Sequence, residues 1–164
     1  MRMSQGVEWS IHACHLMAEL PGDESLSAAQ LAEFFDLPEP YLRKHMQALS
    51  RAGVTTGTPG PRGGYRLARP AGEVTLLDVV EAIEGPSPAF RCTEIRQRGL
   101  AALPPPMCRR PCAIAAAMAR AESAWRDQLA DVTIADVSAT VAGQAPGTAA
   151  RIEETLLGLR KDRS

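Results

Sequence analysis

Apolar side chains recur at helical spacing in three successive segments near the start of the chain. Over residues 5–20 they fall three or four positions apart, which predicts a first helix that a Pro-Gly pair ends. Ser27 is a suitable N-cap for a short second helix over Ala28–Phe35. A third amphipathic stretch begins at residues 38–40 and continues to Gly53, a typical stop residue for a helix. We therefore expect three helices in the first third of the chain.

The residues after the third helix predict a β-hairpin. Two short runs, residues 54–58 and Tyr65–Leu67, flank a connection rich in glycine and proline. In a winged helix-turn-helix, three helices precede such a hairpin; the third helix enters the major groove of DNA, and the hairpin, or wing, contacts the backbone or minor groove. The pattern over residues 26–67 therefore predicts a module that binds duplex DNA.

The second half of the chain alternates predicted helices with one long irregular segment. Thr75 can cap a helix that Gly85 ends, residues 86–110 are rich in proline, and Pro111 suits the first position of a long helix. Thr133 can likewise cap another helix. The long helix carries an apolar stripe that lies outside the small N-terminal core and is expected to pair with a second copy of the chain; it consists of Ile114, Met118, Ala121, Trp125 and Leu129.

These elements predict a mainly α fold with a small β-hairpin, in which a winged helix-turn-helix DNA-binding domain precedes a long C-terminal dimerisation helix. A length of 164 residues with 45% hydrophobic content suits one compact domain, or a small domain with an oligomerisation arm. The expected divisions are a DNA-binding domain at 1–85, a cysteine-bearing loop at 86–110, the dimerisation helix with the next helix at 111–142, and a C-terminal tail at 143–164.

Charge is distributed unevenly along the chain. The apolar N-terminal segment contains Glu8 and two histidines, so it is neither a signal peptide nor a membrane span, and we expect a cytoplasmic protein that does not enter membranes. The net charge is −1, yet residues 40–70 contain six lysines or arginines and no acidic residue. A local basic surface of this kind is typical of a small DNA-binding module.

We predict that the side chains that contact DNA lie on the third helix and the wing. Gln47 can pair with adenine, and Lys44 or Arg43 can pair with guanine or phosphate. Two glycines allow the wing to turn tightly against phosphates. Each residue alone could be an ordinary solvated side chain, but the order of the elements favours contact with a double-stranded operator. The predicted contacts are Tyr41, Arg43, Lys44, Gln47, Arg51, Arg62, Gly63, Gly64 and Arg66.

Three stretches taken together resemble the winged-helix regulators typified by IscR and NsrR. They are YLRKHMQALSRAGV at 41–54, PGPRGGYRL at 59–67 and VTLLDVVEAIEG at 74–85, and the resemblance extends from residue 1 to about residue 140. It implies a homodimer paired through the long C-terminal helix. It also implies an iron-sulfur cluster on the loop before that helix, with Cys92, Cys108 and Cys112 as candidate ligands.

Two features depart from the common pattern of that family. Fifteen residues separate Cys92 from Cys108 and three separate Cys108 from Cys112, whereas the family usually has a handful in each interval. This arrangement, with GVEWSIH at 6–12, is similar to the redox-responsive members, of which RsrR is one. That resemblance favours Cys112 over Cys108 as a cluster ligand. Pro59 also replaces the frequent wing arginine, so Arg62 is expected to take its minor-groove role and the target sequence cannot be carried over.

A two-iron, two-sulfur cluster takes four protein ligands, and histidine is an accepted substitute for cysteine. Glu8 and His12 are spaced i,i+4 on the first helix, so both could reach one iron, and the cluster could then bridge two subunits. Cys112 is expected at a helix N-terminus after two arginines, where a thiolate is stabilised. The predicted ligands are therefore Glu8, His12, Cys92 and Cys112, with Cys108 as a third thiolate ligand or a spare thiol. A solvated polar face is the alternative for the Glu8 stripe.

Three other residues have predicted roles near this site. Trp9 adjoins Glu8 and is expected either to relay a redox change to the winged helix or to be a plain core or interface tryptophan. Cys14, on the apolar stripe, is predicted to be a small buried hydrophobe. His45 is expected at the surface or facing phosphate.

The sequence therefore predicts a homodimeric transcription regulator, most simply a repressor, whose operator affinity depends on the redox state of a two-iron, two-sulfur cluster. The alternative is a winged-helix regulator that uses Cys108 and Cys112 as a thiol switch or binds zinc, without iron. A thiol oxidoreductase is disfavoured because no redox scaffold or catalytic His/Asp constellation accompanies the cysteine pair, so no enzyme is expected. An interaction module that no longer binds DNA is a further alternative.

Overall fold

The structure is a computed structural model that describes residues 3–22, 24–58, 60 and 63–161. Within these ranges the chain forms, in order, helices α1 Gln5–Ala18, α2 Ala28–Phe35 and α3 Glu39–Arg51, strands β1 Thr55–Gly57 and β2 Tyr65–Leu67, and helices α4 Leu76–Glu84, α5 Ala113–Ala130, α6 Ile134–Gln144 and α7 Thr148–Lys161. The predicted mainly α fold with a small hairpin is confirmed.

Local capping signals determine where three of these helices begin. Ser27 Oγ accepts a hydrogen bond from Gln30 N at 3.2 Å, while Gln30 Oε1 accepts one from Ser27 N at 3.0 Å. This reciprocal capping box satisfies two backbone donors that the first turn of a helix leaves open. Thr75 and Thr133 begin α4 and α6 in the same way. All three predicted N-caps are confirmed.

The turn between α2 and α3 sets the angle of the helix-turn-helix. Asp36 ends α2 in the left-handed region, with φ of 51°, and its backbone N–H bonds back to the last turn of α2. Aspartate tolerates this conformation better than most residues other than glycine. The chain then begins α3 two residues before Tyr41, with proline in its first turn.

The wing is a two-stranded antiparallel ribbon that a third segment extends. Thr55 pairs with Leu67 and Gly57 with Tyr65. Leu26, just before α2, joins the far side of β2 because its N–H donates to Tyr65 O at 3.0 Å and Tyr65 N–H donates to Leu26 O at 2.7 Å. The wing is therefore fixed to the helix-turn-helix through backbone hydrogen bonds.

The core lies between α1 and the winged helix. α1 packs against α3, α4, α6 and β2, which makes it the central helix of the described fold. Burial of aliphatic side chains is the main favourable term in such packing. The core residues include Leu16, Leu31, Leu42, Met46, Leu49, Val54, Val79 and Ile134.

Arg69 connects the end of the wing to α4. Its guanidinium donates to Asp78 Oδ2 at 2.7 Å and to the carbonyl oxygens of Glu73 and Gly53 at 2.8 and 3.1 Å. Burial by itself would raise the pKa of Asp78, but hydrogen bonds from Thr75 and the Arg69 charge outweigh it and hold that pKa below its ordinary value. Arg69 therefore stabilises the end of the basic segment and is not free to contact DNA through these donors.

One helix begins later than the sequence predicts. Cys112 is the N-cap of α5, so Pro111 precedes the helix instead of occupying its first position. The segment predicted as the C-terminal tail, 143–164, contains helix α7. Its Ile152 and Leu156 belong to the hydrophobic core and are only 8% and 4% exposed.

Residues 86–110 form the predicted irregular segment, interrupted by short 3-10 turns at Ile95–Gln97 and Pro105–Cys108. On α5, Ile114 and Met118 are 66% and 42% exposed. An apolar stripe this open to water is typical of a surface that pairs with another helix. Among the described residues, no helix is both long and apolar enough to cross a membrane.

Candidate DNA-reading surface and cluster site

The exposed face of α3 carries the side chains predicted to read DNA. Tyr41 is 64% exposed, and Lys44 and Gln47 are exposed beside it. Leu42 and Met46, on the opposite face, are fully buried. The helix therefore presents its polar side to solvent at the position where a recognition helix meets base edges.

Charge on this surface comes mainly from Lys44 and Arg51. Arg51 is exposed in the last turn of α3. Arg43 forms an i,i+4 ion pair with Glu39, which partly neutralises its guanidinium in the absence of DNA. A groove of about 450 Å³ lies between the start of α2 and the wing, and Arg43 lines it with Gly63. A phosphate in that groove would compete with Glu39 for the guanidinium.

The wing residues divide into surface and structural positions. Arg66 lies half-buried in β2 opposite Thr56, and Arg62 lies outside the described residues. Gly64 is buried, and a Cβ there would lie only 2.7 Å from the carbonyl carbon of Leu26. The structure therefore gives Gly64 a structural role, because the absence of a side chain lets the wing approach Leu26; its predicted contact with DNA stays a prediction.

His45 joins the recognition helix to α1, although the sequence suggested a surface or phosphate-facing position. Its ring meets the Trp9 ring edge-on, with centroids 6.1 Å apart, and it fills the space above Gly6 so closely that a Cβ there would lie 2.4 Å from Cε1. Burial lowers the pKa of His45, Lys44 acts in the same direction and Glu84 acts against it. The ring is therefore neutral near pH 7, which suits a packed contact.

The cysteine loop places Cys112 at the start of α5. Backbone hydrogen bonds from Ala115 and Ile114 lower the pKa of the Cys112 thiol, and the positive charge of Arg96 adds to them. The sequence predicted that the helix N-terminus and the two arginines directly before Cys112 would stabilise its thiolate. Cys92 is exposed and Cys108 is half-buried.

Arg96 organises this loop, and sequence reasoning missed it. Its guanidinium holds Glu94 in a two-point ion pair at 2.5 and 2.9 Å and donates to Arg110 O at 3.1 Å. The hydrogen bonds that Arg96 donates to Glu94 raise the pKa of Arg96, and the nearby Cys108 and Cys112 add to that shift. The charge pattern EIRQR at 94–98 could have drawn attention to the ion pair, but nothing local connects Arg96 with cysteines twelve or more residues away.

The other predicted ligands share one face of α1. Glu8 and His12 are both exposed and line a depression of about 440 Å³, together with Val7 and Ile11. The His12 ring also lies against Phe35 of α2, with centroids 5.9 Å apart and a tilt of 57°. Both candidate ligands are therefore open to a group that approaches from outside the chain.

The two halves of the predicted site do not meet within one chain. Across the part of the chain that the structure describes, no three His, Cys, Asp or Glu side chains are grouped so that they could hold a metal ion. Cys14 is fully buried, and burial raises its pKa to about 12, which confirms it as a hydrophobic core residue. The α1 pair and the loop cysteines remain two separate donor sets.

Known proteins resemble this chain over most of its length. The profile of the Rrf2 family, described as "Iron-dependent Transcriptional regulator", matches residues 3–140. The chain is 34% identical over 85 residues to YwgB of Bacillus subtilis (strain 168), a candidate HTH-type transcriptional regulator, and this covers 52% of this chain and 54% of YwgB. It is 38% identical over 68 residues to the HTH-type transcriptional regulator IscR of Cereibacter sphaeroides, covering 42% of this chain and 44% of IscR. The chain thus spans about half the length of these relatives.

A solved structure supports the fold. That of CymR (YrzC), the global cysteine regulator of B. subtilis, superposes with a TM-score of 0.64 at 21% identity, over 85% of this chain and 98% of CymR. At that identity the likeness concerns the arrangement of elements alone. Together with the family profile, the DNA-reading face of α3 and the wing, it leads to one conclusion: the chain belongs to the Rrf2 family of winged-helix transcription regulators and is not an enzyme.

Proposed function

We propose that this regulator is a homodimeric repressor whose operator affinity is controlled by the redox state of a two-iron, two-sulfur cluster. Its ligands are Glu8 and His12 of one subunit with Cys92 and Cys112 of the other. Cys108 is a spare thiol beside them. The observation that supports the proposal is the separation of two donor sets, each incomplete alone: the exposed Glu8 and His12, and the exposed Cys92 with the half-buried Cys112. A second copy of the chain can supply the missing half.

The donor chemistry fits such a cluster. Cys92 is exposed, and the hydrogen bonds at the start of α5 lower the thiol pKa of Cys112, which favours the thiolate form that binds iron. Carboxylate and imidazole on adjacent turns of α1 provide the other two donors. A cluster held there would supply a one-electron redox centre with a less negative ligand set than four cysteines give.

The expected pairing surface is the exposed stripe of α5. Ile114 and Met118 leave apolar surface open to water that pairing with a second helix would bury. In a symmetric dimer the same stripe is buried on both subunits. Cys112 begins this helix, so pairing along α5 carries the cysteine loop to the edge of the interface.

A change at the cluster can reach the recognition helix through Trp9. Trp9 follows Glu8 directly, and its ring contacts His45 of α3. Redox-linked repacking of Glu8 would move this pair of rings, and α3 would shift with His45. The contact supports the relay interpretation over that of a tryptophan confined to the core.

Subunit complementation tests the ligand assignment. Homodimers of Glu8→Ala/His12→Ala and of Cys92→Ser/Cys112→Ser each lose the cluster, as judged by iron, sulfide and visible absorption. A mixed dimer regains one of its two clusters, because one of the two sites then has all four natural ligands and the other has none. Cys14→Ala is the control and keeps the wild-type spectrum. A mixed dimer without iron, or a wild-type spectrum for Glu8→Ala/His12→Ala, would contradict the assignment.

A thiol or zinc switch at Cys108 and Cys112 is the second candidate. It is favoured by the lowered pKa of Cys112, which makes that thiol reactive whether or not iron is present. The two candidates differ in composition. Anaerobically purified protein that lacks iron and sulfide, but changes operator affinity on oxidation of Cys108 and Cys112, would support the thiol switch.

A further inference from the structure

A cavity of about 350 Å³ lies among α1, α2, α6 and α7, away from the DNA-reading face of α3 and from the cysteine loop. Its volume falls at the lower end of the roughly 300–1,000 Å³ that is typical of small-molecule sites. Leu16, Phe34, Val141 and Ile152 form part of its wall. Neither DNA binding nor the proposed cluster requires a cavity here.

One wall of the cavity is aromatic. The rings of Phe34 and Phe35 meet edge to face with centroids 4.9 Å apart, and the His12 ring is tilted against Phe35 at 5.9 Å. Neither phenylalanine is fully buried, so both leave ring surface uncovered. Another flat ring placed in the cavity would extend this group in the edge-to-face geometry that aromatic side chains prefer.

The opposite side provides a cation. Arg151 of α7 lines the cavity, and it is the one lining residue, among those the structure describes, with a permanent charge; none of them is acidic. Thr148 and Thr155 donate their hydroxyl protons to backbone oxygens at 2.7 and 2.8 Å. The His15 ring is held by Ser138, with Nδ1 at 2.8 Å from Oγ. Because these hydroxyls and the His15 ring already have hydrogen-bond partners, the Arg151 guanidinium is the lining group best suited to pair with an anion.

We propose that this cavity binds a small aromatic carboxylate of one or two rings. The carboxylate pairs with Arg151, and the ring packs against Phe34 and Phe35. Such a ligand is independent of the cluster, although His12 lines the cavity and belongs to the proposed ligand set. Phe35 directly precedes Asp36, whose left-handed turn begins the connection to α3, so the aromatic wall of the cavity ends at that turn.

Titration calorimetry on the purified 164-residue chain tests the proposal, with 1-naphthoate as probe and 1-naphthalenemethanol as its neutral counterpart. We expect submillimolar binding of naphthoate and at least tenfold weaker binding of the alcohol. Arg151→Gln should weaken naphthoate at least tenfold and leave the alcohol unchanged. The matched control is Arg120→Gln, on the exposed side of α5, which should behave as wild type. Phe35→Leu should weaken both probes.

Two further variants keep the result interpretable. Arg151→Lys retains the charge and should bind naphthoate better than Arg151→Gln, even if both melt slightly below wild type. Cys92→Ser, which lacks the cluster under the proposed function, should bind naphthoate with unchanged affinity. The proposal is overturned if naphthoate does not bind wild-type protein at millimolar concentration. It is also overturned if Arg151→Gln binds naphthoate as wild type does, or if Cys92→Ser abolishes binding.

Discussion

Replacing Gly64 with alanine should detach the wing from the helix-turn-helix. The added Cβ would lie 2.7 Å from the carbonyl carbon, 2.8 Å from the oxygen and 3.0 Å from the nitrogen of Leu26. These are backbone atoms, so no side-chain rotation can relieve the contact. The chain can make room only by separating β2 from Leu26.

The cost follows from the hydrogen bonds that this separation breaks. Leu26 and Tyr65 exchange two backbone bonds, at 3.0 and 2.7 Å. Each contributes about 0.5–1.5 kcal/mol net, so we expect a loss of roughly 1–3 kcal/mol. For a chain of this size that lowers the melting temperature by about 2–4 °C per kcal/mol. Operator affinity should fall as well, because the wing is no longer held in place.

The assay is thermal unfolding by circular dichroism at fixed protein concentration, followed by an operator-shift titration. Gly57→Ala is the matched control in the same hairpin. Its Cβ would make an ordinary contact, 3.6 Å from the Tyr65 ring, so its melting temperature should stay near that of wild type. If Gly64→Ala and Gly57→Ala melt within 1 °C of each other, the close approach of Gly64 to Leu26 does not hold the wing.

Three shorter predictions concern charge. Lys44→Ala should weaken operator binding and reduce the slope of log affinity against log salt by about 1, because one phosphate contact is lost; an unchanged slope would contradict this. In cluster-free protein, iodoacetamide should modify Cys112 at a pH below the ordinary thiol value of 9.0, whereas Cys14, with a pKa of about 12, should react only on unfolding. Asp78→Asn should cost about 1 kcal/mol above pH 5, a modest figure because the pair with Arg69 is partly exposed. Since the native pKa of Asp78 lies below 3.8, wild type should lose this advantage as the pH falls through that range, and equal unfolding curves for both proteins at pH 7 would refute it.

Features encoded within a few residues could be predicted from the sequence. The bounds of α2 and the caps of α4 and α6 were predicted correctly, because Ser27, Thr75 and Thr133 each bond to a residue three positions on. The exposed face of α3 follows from the helical spacing of Leu42 and Met46.

Features that depend on distant contacts could not be predicted. His45 packs on Trp9 and Gly6, far away in the chain, and no local signal distinguishes it from a surface histidine. Gly64 was expected to allow the tight turn of the wing. The structure shows a further reason for glycine: a Cβ there would meet the backbone of Leu26, 38 positions earlier in the chain.

The candidate cluster ligands, and the idea that they come from two subunits, are predictions from the sequence that stay to be tested. The spacing of Glu8 and His12 does place both on one face of α1. No property of the sequence reports whether that face and the cysteine loop meet in one chain. The structure separates them in the single chain, which makes the dimer the unit in which the ligand assignment has to be tested.

The most direct test of the account is operator affinity measured anaerobically on the same iron-loaded sample, first oxidised and then reduced by one electron per cluster. The redox state is followed by visible absorption and electron paramagnetic resonance. The account predicts at least a tenfold difference in affinity between the two states, and loss of that difference in Trp9→Ala. Equal affinities in the two states, or protein that binds its operator but contains neither iron nor sulfide, would contradict redox control through a cluster.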